Sequence, residues 1–189
     1  MTHYLDVVLR PDPEFPAPML MGALYSKLHR VLADLAADDI GVSFPGHKTG
    51  VRARHPGETL RLHGTEERLE KLLATNWLKG MYDHVEVGVI SAVPLNASHR
   101  PVRRRQFKTN ANRLRRRRMR RHGESETEAA QAIPNSIEQQ VSLPFVQVRS
   151  ASTGQRFSLF IEHGPVQSTP QDGTFSTYGL SSKATVPWF

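Results

Sequence analysis

The chain has 189 residues, 38% of them apolar, no cysteine and a formal net charge of +7. That apolar content suffices for one substantial core or two modest ones and excludes a disordered chain, while the missing cysteines exclude a disulfide framework, a thiolate metal site and a thiol nucleophile. No run of eighteen apolar residues and no basic-then-apolar leader occurs, so neither membrane spanning nor secretion is expected and the protein reads as soluble and cytoplasmic.

HYLDVVLR (residues 3–10) opens the chain as a strand and gives way to a proline-rich loop. In MLMGALYSKLHRVLADLAADD the apolar residues Leu20, Leu24, Leu28, Val31, Leu32 and Leu35 recur at helical spacing, which predicts an amphipathic helix burying one stripe. IGVSFPG and TLRLHGT read as the next two strands. Thr65 is placed to cap a second helix, with Glu66 and Glu67 in its first turn, that runs through Leu72 and Leu73. HVEVGVISAV supplies a fourth strand. The order βαββαβ over residues 1–94 is the ferredoxin-like arrangement, so an α+β fold is expected. Many RNA-binding modules are built this way, but TLRLHGT has no aromatic residue on which a base could stack, and the pattern equally suits a plain scaffold.

Proline and small polar residues in PLNASHRP (94–101) predict a linker over 95–109, followed by a C-terminal domain over 110–189. The charge is concentrated here. Residues 100–121 hold twelve Lys or Arg and no acid, and the rest of the chain has thirteen basic residues against eighteen acidic ones. In NRLRRRRMRR (112–121) seven of ten residues are arginine. On a helical wheel Arg113, Arg116, Arg117, Arg120 and Arg121 span about 140°, with Arg115, Arg118 and His122 at the back. Only Leu114 and Met119 are apolar, so no stripe is left to dock on a core. A solvated basic face or a localisation signal is the plain alternative for such a run. The length of this one, QFKTN before it and candidate caps at Asn110 and Gly123 favour a polyanion that completes a self-repelling helix. An arginine helix enters A-form RNA only at a short or distorted stem, which points to a stem-loop. A DNA-binding protein would need a dimer or a docking motif, and neither is seen.

Ser125 and Glu128 form a capping-box pattern opening a second helix to about Gln140. LPFVQVR, QRFSLFIEH and TFSTYGL then read as three strands of a small antiparallel sheet. The nine histidines are scattered without an HxH or HExxH pair, and Asp38 and Asp39 read as a helix end, so neither a metal site nor a cofactor is expected.

The blocks HYLDVVLRPDPEFP, SKLHRVL, IGVSFPG, RRQFKTN with RLRRRRMRRH, RSASTGQRF, TYGL and VPWF resemble, in order and nearly end to end, the CRISPR repeat-processing endoribonucleases of the type I-F (Csy) subtype. The resemblance implies metal-independent cleavage of precursor CRISPR RNA at the base of its repeat hairpin, retention of the mature crRNA, and membership of a type I-F effector complex. Matching positions imply His29 and Ser150 as a catalytic pair with Tyr178 supporting His29, and Ser152 and Thr153 beside the scissile region. They further imply Arg104 and Gln106 as readers of base edges, Phe157 as the aromatic under the terminal base pair, and Arg116, Arg117, Arg120 and Arg121, followed by His122, as the helix in the groove. The glycine-rich C-terminal loop of the wider repeat-processing group is reduced here to Gly179, so no phosphate cradle is assigned there.

These residues suit that chemistry. RNA supplies its own nucleophile, the 2′-hydroxyl beside each phosphate, and a protein need only align and deprotonate it. Imidazole changes charge near neutral pH, and a serine hydroxyl can hold the attacking group by a hydrogen bond. Residue type alone assigns none of the three: a lone helical histidine is ordinarily a surface residue, RSASTGQ is an ordinary turn, and Tyr178 could be core packing. His29 does lie about 120° from the centre of the leucine stripe.

Overall fold

Leu5, Val7 and Leu9 are buried and alternate with half-buried residues along β1 (His3–Leu9), the period-two pattern of a strand with one face on a core. The computed structural model describes residues 1–50, 55–107, 111–137, 141–149 and 154–189. After β1 come α1 (Ala17–Asp34), β2 (Gly41–Ser43), β3 (Thr59–Gly64), α2 (Glu66–Ala74) and β4 (Val85–Val87), so the element order is βαββαβ. The sheet runs β2-β3-β1-β4, with the short β5 (Ser91–Ala92) also pairing β1, and every pairing is antiparallel.

Register fixes what each face carries. Leu5 opposes Leu62 and Val7 opposes Leu60, which puts four buried side chains together. The next pair, Asp6 and Arg61, falls on the other face, where Arg61 Nε and Nη2 donate to the two Asp6 carboxylate oxygens at 2.7 and 2.8 Å. The same guanidinium lies 4.7 Å from the ring centre of Tyr4 and 4.2 Å from that of Phe189, tying the C-terminal residue to the first sheet. Thr65 caps α2 by accepting from the Arg68 amide, and Glu66 and Glu67 occupy the first turn, as the sequence leads one to expect.

A second sheet follows the order β7-β8-β6-β9, made of β6 (Ser98–Arg105), β7 (Phe145–Arg149), β8 (Arg156–His163) and β9 (Thr185–Trp188). Helix α1 runs over β7 at Gly22. A Cβ there would sit 2.5 Å from the Gln147 carbonyl oxygen, so glycine is what permits the approach. Val102, Val146, Val148, Leu159, Ile161 and Val186 consequently share one core with the leucines of α1.

The described residues divide into two compact units, 1–105 with 143–189, and 106–142. The second contains α3 (Ala111–His122), α4 (Glu126–Ala132) and a 3₁₀ turn over Asn135–Ile137.

Several local expectations need correction. Ser98–Arg105, inside the stretch expected to be a linker, is a strand: its first half pairs β9 and its second half β8. HVEVGVISAV is two short strands, β4 and β5, both paired with β1, with the Gly88 amide donating to the Asp6 carbonyl between them. α4 stops at Ala132, well short of Gln140. Ile133 precedes Pro134, whose ring disfavours helical backbone in the residue before it, and Ile133 takes φ −131° and ψ 80°. TFSTYGL forms no strand. Its backbone instead makes a turn in which the Gly179 amide donates to the Ser176 carbonyl, with Gly179 at φ +65°. The candidate cap Asn110 lies outside the described residues.

Candidate functional site

That turn is what meets α1. The Val42 amide donates to the Gly179 carbonyl at 2.8 Å and the Phe175 amide to the Asp38 carbonyl at 2.8 Å, pinning both sides of the turn to the β2 region. Tyr25, fully buried on α1, donates its hydroxyl to the Tyr178 carbonyl at 2.6 Å. Burial pushes the Tyr25 phenol well above its ordinary pKa, so it remains a neutral donor. One helical turn further on, His29 stacks on the Tyr178 ring with centres 3.8 Å apart and planes 7° from parallel.

The other contact of His29 decides its proton. Its Nδ1 is 2.9 Å from the Thr177 carbonyl oxygen, which can only accept, so Nδ1 carries the hydrogen. Neutral imidazole has a single N–H, so the lone pair is on Nε2. Stacking on one side and a hydrogen bond at the ring edge thus hold a half-buried imidazole with its basic nitrogen defined.

Arg104, exposed on β6, places its guanidinium carbon 5.6 Å from the ring centre of Tyr178 and 5.6 Å from that of Phe157 on β8. The structure therefore groups His29, Tyr178, Arg104 and Phe157. Ser150, Ser152 and Thr153 lie outside the described residues. Tyr25 and the Thr177 carbonyl were not anticipated from the sequence. The only available signal for Tyr25 was its position four residues before His29, on the same side of the helix.

In the second unit, Arg113, Arg116, Arg117, Arg120, Arg121 and His122 are exposed on α3, and Gln106 is exposed ahead of it. Among the described residues no carboxylate pairs with Arg116, Arg117, Arg120 or Arg121. Arg115 and Arg118, on the opposite side, are half-buried. Arg118 Nε and Nη2 donate to the two Glu124 oxygens at 2.6 and 2.9 Å. Arg115 Nε donates to the Ile133 carbonyl at 2.8 Å and its Nη2 to Asn135 Oδ1 at 2.7 Å. Gly123, at φ +68°, ends α3 with its amide on the Met119 carbonyl, and the Ser125 and Glu128 capping box opens α4. The back of α3, which lacks an apolar stripe, is held by these polar contacts to the turn before α4 and to the chain at its end, with Ala111 and Ala129 buried.

Among the described residues no group of three or more His, Asp or Glu is placed to hold a metal ion, and no helix is long and apolar enough to cross a membrane.

The family model described as CRISPR-associated protein (Cas_Csy4) matches residues 4–189. Two curated relatives, both CRISPR-associated endonuclease Cas6/Csy4, align over 189 residues and 100% of each chain: that of Pseudomonas aeruginosa (strain UCBPP-PA14) is 51% identical and that of Escherichia coli (strain UTI89 / UPEC) 43% identical. A solved RAMP protein described as binding different RNA substrates aligns with 98% of this chain and 100% of its own at 12% identity, with a TM-score of 0.35, a likeness too slight to bear on the fold.

Proposed function

The chain belongs to the Cas_Csy4 family of CRISPR-associated proteins, and on that premise we propose that it is a metal-independent endoribonuclease that cuts precursor CRISPR RNA at the foot of its repeat hairpin. The observation that carries this reading is the defined tautomer of His29, with Nδ1–H on the Thr177 carbonyl and the Nε2 lone pair available.

The reaction needs little else. His29 Nε2 takes the proton of the 2′-hydroxyl at the cut site, the 2′-oxygen attacks the adjacent phosphorus, the bond to the 5′-oxygen breaks, and that oxygen takes a proton from water while His29 returns its own to solvent. The products are a 2′,3′-cyclic phosphate and a 5′-hydroxyl. Because nucleophile and phosphate sit on one nucleotide, alignment does much of the work, and a placed general base adds typically about 10²- to 10⁴-fold. Ser150 holds the attacking oxygen, Tyr178 keeps the imidazole in plane, and Ser152 and Thr153 flank the scissile phosphate. Arg104 and Gln106 read base edges at the stem's foot, Phe157 stacks under the terminal pair, and Arg113, Arg116, Arg117, Arg120 and Arg121 with His122 meet the stem's phosphates. Grip of that kind, independent of the cut strand, keeps the mature crRNA bound and suits a subunit of a type I-F effector complex. The first four strands and two helices are read as a ferredoxin-like domain over 1–94, with 95–109 contacting RNA; of the expected hairpin-gripping domain over 110–189, residues 143–189 fold with the first unit, so the grip is assigned to the segment that carries α3 and α4.

The test is a repeat hairpin carrying a single 2′-deoxy nucleotide at the cut site, incubated in EDTA beside the all-ribose hairpin. Cleavage of the ribose substrate alone, and none by His29→Ala at wild-type hairpin affinity, is expected. Cleavage of the deoxy substrate would refute 2′-hydroxyl attack, and binding without cleavage of either would leave a structural RNA-binding protein.

A further inference from the structure

A helix of twelve residues is marginal on its own, and α3 carries like charges at i,i+4 in Arg113 and Arg117, Arg116 and Arg120, and Arg117 and Arg121. Two of its arginines are spent on the chain that follows the helix. Arg118 makes a bidentate pair with Glu124, the first acid after the helix, and Arg115 reaches the last carbonyl of the α4 segment at Ile133 and the side chain of Asn135. Between these anchors the Gly123 turn reverses the chain, and Ser125 and Glu128 fix where α4 begins. These contacts, to the turn before α4 and to the chain at its end, lie on the side away from Arg116, Arg117, Arg120 and Arg121.

We propose that Arg115 and Arg118 are positioning residues, not RNA ligands: with Glu124, Ile133 and Asn135 they use α4 as a brace that fixes the arginine helix before a hairpin arrives. The inference rests on the reading of α3 as the hairpin-binding helix. It adds a division of labour within the cationic run. Arg113, Arg116, Arg117, Arg120 and Arg121 meet phosphates and release counterions, whereas Arg115 and Arg118 lower the ordering cost of that encounter.

Glu124→Gln separates the brace from simple charge, because the two predict opposite signs. Removing a carboxylate beside a polyanion site should tighten RNA binding if charge is all that matters. If the brace matters, binding weakens although the protein has become more positive. The full-length protein, Glu124→Gln, Arg118→Gln and the charge-swapped Arg118→Glu with Glu124→Arg are compared by affinity for the uncleavable 2′-deoxy hairpin at several salt concentrations. Amide hydrogen exchange of α3 is measured in the same proteins without RNA. A partly exposed bidentate pair supports an effect of about two- to fivefold. Both single variants should lose that much affinity, keep the wild-type salt slope, cut a saturating ribose substrate at the wild-type rate and exchange faster in α3. The swap should recover affinity to within about twofold.

Equal or tighter binding by Glu124→Gln, or a salt slope lowered by about one in Arg118→Gln, the mark of a lost phosphate contact, would overturn the proposal. So would unchanged exchange in α3. If the wild type failed to bind the hairpin at all, the RNA reading would fall, while the exchange measurement would still decide whether the pair fixes the helix.

Discussion

A carbonyl oxygen cannot donate, and that fact makes the backbone of Thr177 as informative as any side chain near His29. The turn supplying it depends on Tyr25, whose buried hydroxyl is bonded to the Tyr178 carbonyl. Tyr25→Phe leaves that carbonyl without its partner at a cost of about 0.5–1.5 kcal/mol, to be read from denaturant unfolding, and it should slow cleavage by letting the turn shift under His29. Tyr178→Phe keeps the ring that stacks at 3.8 Å and should cleave within about twofold of wild type, whereas Tyr178→Ala should lose about tenfold or more under single-turnover conditions. Equal rates for both variants would remove the stacking role. Little of this was legible in the sequence. His29 could be set apart by its angle to the leucine stripe, but a main-chain carbonyl has no signature in residue identity, and Tyr25 looks like any core aromatic.

At the scale of elements, what local chemistry dictates was readable: Thr65 and Ser125 cap helices, Gly123 ends one, and the leucine spacing gives α1. What depends on long-range pairing was not. PLNASHRP reads as a linker for its prolines and small polar residues, yet its last four residues open β6, where partners change from β9 to β8 just past Pro101. The partners of Arg115 and Arg118 were equally hidden, since they depend on the path of the chain after Gly123. For the exposed side of α3, replacing Arg116 and Arg120 together with Gln should weaken hairpin binding and reduce the salt slope by about two, measured by titration at four or more salt concentrations. An unaltered slope would show that these arginines touch no phosphate.

For the whole molecule, the two histidines shifted furthest, His63 and His163, contribute to the response to acid. Burial, with Arg61 and the N-terminal amine nearby, holds His63 at about 3. Burial, with His47 and Arg100 nearby, holds His163 at about 2, where its Nε2 accepts from the Phe44 amide. Both values lie below the unfolded value near 6.5, so the unfolded chain takes up these protons first. Stability from this source is complete above about pH 6.5 and falls as the pH drops toward 3, by up to about 1.4 kcal/mol per pH unit for each histidine. Unfolding free energies measured from pH 7.5 to 5 should fall accordingly, and His163→Gln should flatten the slope; an identical slope in that variant would exclude His163 as a source.

The strand pairings flanking the second unit have one further consequence. Arg105 and Phe145 both pair with Phe160, one on each side of it. Adjacent strands lie about 4.8 Å apart, so the points where residues 106–142 leave and rejoin the sheet are separated by roughly 10 Å. Three or four glycines and serines could span that gap. The segment that carries α3 and α4 is therefore a cassette: excised and bridged, it should leave a cooperatively folding remainder with His29 still stacked on Tyr178, ready to accept a different graft.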